Sequence, residues 1–89
     1  MDNFISIFVS SGLNPVFVKA NADLIRKNTE AFSALDKLSE SYNLEMFKIL
    51  ENLWYEKYGA KIIKDSEGWK TLEFDTVETK SLFSLKWSG

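Results

Sequence analysis

The chain has 89 residues, with 11 Lys plus Arg against 13 Asp plus Glu, no His and no Cys, and 45% of its residues are hydrophobic. Without imidazole or thiol there is no Ser-His-Asp triad, Cys nucleophile, zinc finger or disulfide. A net charge of -2, with signs alternating along the chain, argues against a strong non-specific grip on nucleic acid.

At 10.3 kDa the chain can bury about 64% of its unfolded surface, enough for one modest core, so residues 1–89 are expected to form a single domain. Asp2 or Asn3 offers a side-chain oxygen to the free amides of a first helical turn. Gly12 supplies a left-handed stop followed by apolar Leu13, which together predict a helix over about 3–11. The apolar stretch Phe4–Val9 is too short for a signal peptide and follows Asp2 rather than a basic residue. No apolar run approaches the about eighteen residues needed to span a bilayer, so no membrane role and a cytoplasmic location are expected. Ten Lys to one Arg, with frequent Asn, Ser, Phe and Ile, fits an AT-rich bacterial or phage genome, hence a bacterial or phage-infected cell.

Asn14-Pro15 is an N-cap followed by proline at the first helical position, and opens a predicted helix over 15–41. Phe17, Ala20, Leu24, Ala31, Leu35 and Leu38 recur at steps of three, four or seven and, with the flanking Val18, Ile25 and Phe32, fill an arc about 160° wide at 100° per residue. Asn21 and Asn28 fall near the centre of that arc. A buried amide costs roughly 1–3 kcal/mol unless its hydrogen bonds are met, and one use of such a residue is to fix register in a helical pair. Phe17, Asn21, Leu24, Asn28 and Leu35 are therefore candidates for self-association. The alternative is that the helix breaks near these residues, with Asn21 or Asn28 as a cap or stop, since Asn favours helix ends.

Asn43 reads as the cap of the next helix, over 44–58, which Gly59 ends. Its apolar residues cover an arc of about 240°, wider than one core contact requires, so the helix is either sandwiched or faces a partner. Glu51 interrupts that arc; a salt-bridged or boundary glutamate is favoured over a general acid. After Gly59 the period shifts toward two. Strands are predicted over 60–64 and 69–74, with Asp65-Ser66-Glu67-Gly68 as the turn between them, and a third strand over 80–87. The expected fold is α+β, with N-terminal helices packed on one face of a C-terminal three-stranded antiparallel β-meander.

The chain carries seven Phe, three Tyr and three Trp, 13 aromatics in all. Trp54, Tyr55, Tyr58, Trp69 and Trp87 are candidates for binding a partner, because Trp and Tyr combine large apolar area with a polar handle. Part of the set is also expected to fill the core. The lysines of the C-terminal half alternate with aromatics as in a single-strand nucleic-acid platform, but Asp65, Glu67, Glu73, Asp75 and Glu78 lie in the same segment. The four glycines are isolated, so no phosphate loop is present, and neither a catalytic set, a cofactor site nor a metal site can be read.

The expected function is a small non-enzymatic protein-binding module, an inhibitor or modulator that occupies a surface of a larger protein. A phage-encoded inhibitor of a host or defence protein, such as an anti-CRISPR, is the class that size and composition suggest. A self-assembling accessory subunit, as a homo-oligomer, and a weak single-stranded nucleic-acid binder are the alternatives.

Overall fold

The computed structural model describes residues 2–88. In chain order these form β1 (Phe4–Ser6), β2 (Phe8–Val9), β3 (Gly12–Leu13), α1 (Pro15–Lys27), α2 (Thr29–Ser33), α3 (Tyr42–Tyr58), β4 (Ala60–Asp65), β5 (Gly68–Phe74) and α4 (Val77–Trp87). The structure is α+β, but the expected order of helices followed by a C-terminal meander is overturned. Strands open the chain and a helix closes it.

The main sheet has the strand order β1-β5-β4, all antiparallel, so the central strand is the last one in sequence. Ile5 and Ile62 lie opposite Leu72, and Ala60 lies opposite Phe74. Because side chains alternate between faces, this row forms the inner face, and Phe4, Glu73 and Lys61 form a row on the other. Ala60, Leu72 and Phe74 are fully buried, and they meet Phe17, Ala20 and Leu24 of α1, Leu53 and Trp54 of α3, and Phe83 of α4 in one core. The register shifts between Ile63 and Lys64, whose partners are Thr71 and Trp69, which leaves Lys70 as the extra residue of a bulge. The bulge brings Trp69 to the inner face, where its ring meets Phe17 edge-on at 6.1 Å.

The predicted helix over 3–11 is replaced by β1 and by the small β2-β3 hairpin. Phe4-Ile5-Ser6-Ile7-Phe8-Val9 is rich in aromatic and β-branched residues, which suit a pleated, half-buried surface better than a helix. Asp2 Oδ1 does accept from the Phe4 amide (3.3 Å), but the Asn3 side chain reaches across to the Phe74 carbonyl instead of capping a turn. Gly12, at φ 128°, serves the hairpin, opposite Val9, and not a helix end.

The helix predicted over 15–41 starts where expected, since Asn14 Oδ1 accepts from the Val16 amide (3.0 Å). It ends at Lys27. Asn28 leaves the helical region and its side chain donates to the Leu24 carbonyl (2.8 Å), so it terminates α1. Beyond the short α2, Asp36 accepts from the Leu38 amide and Ser39 from the Ser41 amide; such local bonds compete with helix and hold 34–41 in turns. The next helix begins at Tyr42 with Ser41, not Asn43, at the cap, and stops at Gly59 in the left-handed conformation (φ 65°). The strands predicted over 60–64 and 69–74 are present as β4 and β5, each one residue longer.

The predicted strand over 80–87 is instead part of α4. Thr76 caps it by accepting from the Thr79 amide (3.0 Å), and Phe83 and Trp87, four residues apart, share a helical face. The alternation Ser81, Phe83, Leu85, Trp87 follows the strand period, whereas on the helix Phe83 turns inward and Leu85, 76% exposed, turns out. The place beside β5 where that strand would have paired is taken by β1.

Candidate functional site

Trp54 is fully buried, stacked on Phe17 (ring centroids 5.2 Å, planes 5° apart) and packed edge-on against Tyr58 (5.1 Å). Tyr58 and Trp87, both half-buried, join it through Phe83. These three of the five aromatic candidates thus belong to one internal cluster. Burial and the nearby Asp23 carboxylate push the Tyr58 hydroxyl above its ordinary pKa, so it remains a neutral donor. Tyr55 stands exposed on α3, and Trp69, at the hairpin end of the sheet, touches the cluster through Phe17.

The five self-association candidates do not share one exposed face. Phe17 and Leu24 are core residues, Asn21 Oδ1 accepts from the Trp54 indole N–H (3.0 Å), Asn28 ends α1, and Leu35 is half-buried in the turn after α2. The amide on the apolar stripe is thus explained inside the fold, as the acceptor that lets a tryptophan be buried without an unmet N–H. Asp23 on the same helix is buried and paired with both Arg26 and Lys27. Burial alone would raise its pKa, but the Lys27 hydrogen bond and the two positive charges outweigh that and hold it below the usual carboxylate value.

What the structure does expose is an apolar groove of about 540 Å³ between the β2-β3 hairpin, the start of α3 and the β4-β5 hairpin. Ile7, Phe17 and Trp69 line its inner part. Its lips are large and open to solvent: Phe8 is 47% exposed, Leu13 49%, Leu44 58% and Phe47 44%. Phe47 lies against Trp69 at 5.4 Å. Glu51, the residue that interrupts the apolar arc of α3, holds this wall together. Its carboxylate accepts from Lys64 Nζ (3.1 and 3.2 Å) and from the Trp69 indole N–H (3.3 Å), which fixes the ring and meets its polar atom. Across the mouth, Lys70 pairs with Glu67 (3.2 Å) and lies over the Phe8 ring at 5.5 Å. Lys48 lines the groove and enters no ion pair among the described residues.

Of the residues singled out in the sequence, Trp69, Phe17 and Glu51 line this groove, and the excess apolar width of α3 supplies Leu44 and Phe47. Phe8 and Leu13 carry no such signal, because the local pattern around Gly12 predicts a helix over 3–11 in place of the hairpin that presents them. Among the described residues no three acidic side chains converge to hold a metal ion. No protein-family model, curated protein or solved structure matches the chain.

Proposed function

We propose that the chain is a non-enzymatic protein-binding module that docks through this groove onto a larger protein. The observation that carries the reading is the grouping of Phe8, Leu13, Leu44 and Phe47, each two-fifths exposed or more, around a half-buried tryptophan. Contiguous apolar surface costs solubility and, on a small protein, marks a place that another surface covers. A large aromatic at the centre of a pocket, ringed by charged side chains that exclude water, is also the arrangement found at binding hot spots. The rim charges are already paired within the chain, except Lys48, so the expected occupant offers large apolar side chains with a carboxylate positioned for Lys48. Such docking acts by occupancy, which is the mode of an inhibitor or modulator. A phage-encoded antagonist of a host or defence protein is the finer form of this reading, and its support is the Lys-rich, Arg-poor composition and small size.

The test compares capture by the chain, by Leu44→Ser/Phe47→Ser, and by Leu82→Ser/Leu85→Ser, which removes the exposed apolar pair on α4 instead. A protein recovered by the original chain and by the α4 variant but not by the groove variant supports the proposal. Equal recovery by all three, or loss only with the α4 variant, refutes it. Purified, that protein should bind the Phe47→Ala variant weaker by about 2 kcal/mol, roughly thirty-fold, if Phe47 is a hot spot.

A further inference from the structure

The main sheet ends on an open edge. β4 has β5 on one side and, among the described residues, no strand on the other. In an antiparallel pair, successive residues bond alternately toward and away from the neighbour, and two bonds set the phase here. The Asp75 amide donates to the Gly59 carbonyl (3.0 Å), and the Phe74 amide donates away from β4, to the Asn3 carbonyl (2.8 Å). Gly59, Lys61 and Ile63 therefore bond toward β5, whereas Ala60, Ile62 and Lys64 turn their N–H and C=O groups to the open edge. Beside that edge runs a groove of about 440 Å³ lined by Glu51, Asn52, Tyr55, Lys61 and Ile62.

A strand laid antiparallel on this edge must place outward-bonding residues opposite one another, which restricts how β4 can meet a copy of itself about a two-fold axis. Centring the pairing on Lys61 or on Lys64 sets a lysine against its twin, which is repulsive. Centring on Ile62 sets Lys61 against Ile63 and Ala60 against Lys64, without any charge pair. Centring on Ile63 sets that residue, 37% exposed, against its twin, and sets Lys61 against Asp65 on both sides of the axis. Lys61 and Asp65 are exposed and enter no ion pair among the described residues, so both are available for this. Asp65 also accepts from the Glu67 amide (2.7 Å), which fixes its position at the hairpin.

We propose that the chain forms a two-fold dimer through β4, continuing the sheet across an axis at Ile63 with Lys61 facing Asp65 of the second copy. Lysines on an edge strand ordinarily keep other strands away. Here the same spacing of lysine and aspartate makes the edge selective for itself.

Light scattering over a concentration series up to about 1 mM chain, the weak end of specific association, is expected to show the mass rising from 10.3 kDa toward twice that value. Lys61→Glu replaces two attractions by two repulsions and should weaken the dimer roughly tenfold or more, as should Asp65→Lys. The double variant Lys61→Glu/Asp65→Lys reverses both charges and should restore the dimer. Amide exchange at Ile62 and Lys64 should slow as concentration rises, while that at Ile63, already bonded to β5, should not change. Circular dichroism identifies each variant as folded before its mass is read. A mass that stays at 10.3 kDa overturns the proposal, as does a dimer indifferent to either single reversal or not restored by the double one.

Discussion

Removing the Asn21 side chain should destabilise the fold through the tryptophan it serves. Trp54 is fully buried, and the acceptor of its indole N–H is Asn21 Oδ1 at 3.0 Å. In Asn21→Ala the N–H stays buried without that acceptor, which costs about 1–3 kcal/mol. For a domain this small, each 1 kcal/mol lowers Tm by about 4–8 °C. Trp54→Phe removes the donor and part of the ring together and should cost about 2 kcal/mol through lost packing. Once the donor is gone, Asn21 has nothing to satisfy, so Asn21→Ala in the Trp54→Phe background should cost about 1 kcal/mol less than it does alone. Urea unfolding of the four proteins, followed by far-ultraviolet circular dichroism with a shared m-value, measures the cycle. A cost below about 0.5 kcal/mol for Asn21→Ala, the range of an ordinary surface change, or a coupling near zero would refute the assigned role.

Three further outcomes follow from the same packing. Gly59→Ala forces a side chain into left-handed backbone (φ 65°) with its Cβ 3.1 Å from Thr79 Cγ2, and should cost more than the about 1 kcal/mol of the conformation alone, read as a fall in Tm. Phe83→Ala empties the centre of the aromatic cluster and should cost about 3–5 kcal/mol, whereas Leu82→Ala, one residue earlier but exposed, should stay within about 0.5 kcal/mol in the same urea assay. The Asp23 carboxyl has a folded pKa below its ordinary 3.8, so its contribution is fully present above that value and is lost as the pH falls through the lowered folded pKa. Stability measured from pH 5 downward should therefore fall less steeply in Asp23→Asn than in the original chain, and parallel curves would contradict this.

The parts of the fold legible in the sequence are those governed by local chemistry. Asn14-Pro15 starts α1, Gly59 stops α3 in the left-handed conformation, and Asp65-Ser66-Glu67-Gly68 turns between β4 and β5. Each signal acts within a few residues of itself. Two of the segments that differ from expectation, 3–11 and 80–87, are decided by each other's partners across the chain. β1 pairs with β5 at a separation of more than sixty residues, as in Phe4 opposite Glu73, and by doing so it occupies the edge that a strand at 80–87 would have needed. Local pattern carries no record of that competition. The candidate site divides in the same way. The width of the apolar arc on α3 was visible, and Leu44 and Phe47 supply its exposed excess. That Trp69 lines the groove is not visible in local pattern, because it depends on a bulge at Lys70 and on Glu51 reaching across to its indole.

The central claim is that the chain meets its partner through the groove beside Phe47. Its most direct test replaces Phe47 by a photoreactive benzoyl-phenylalanine, with Leu85, the more exposed of the two and on α4, replaced as the control. After irradiation in lysate of cells in which the chain naturally occurs, a single discrete protein adduct is expected from position 47 and none from position 85. Adducts from position 85 alone, the same adducts from both positions, or none from either would contradict the claim.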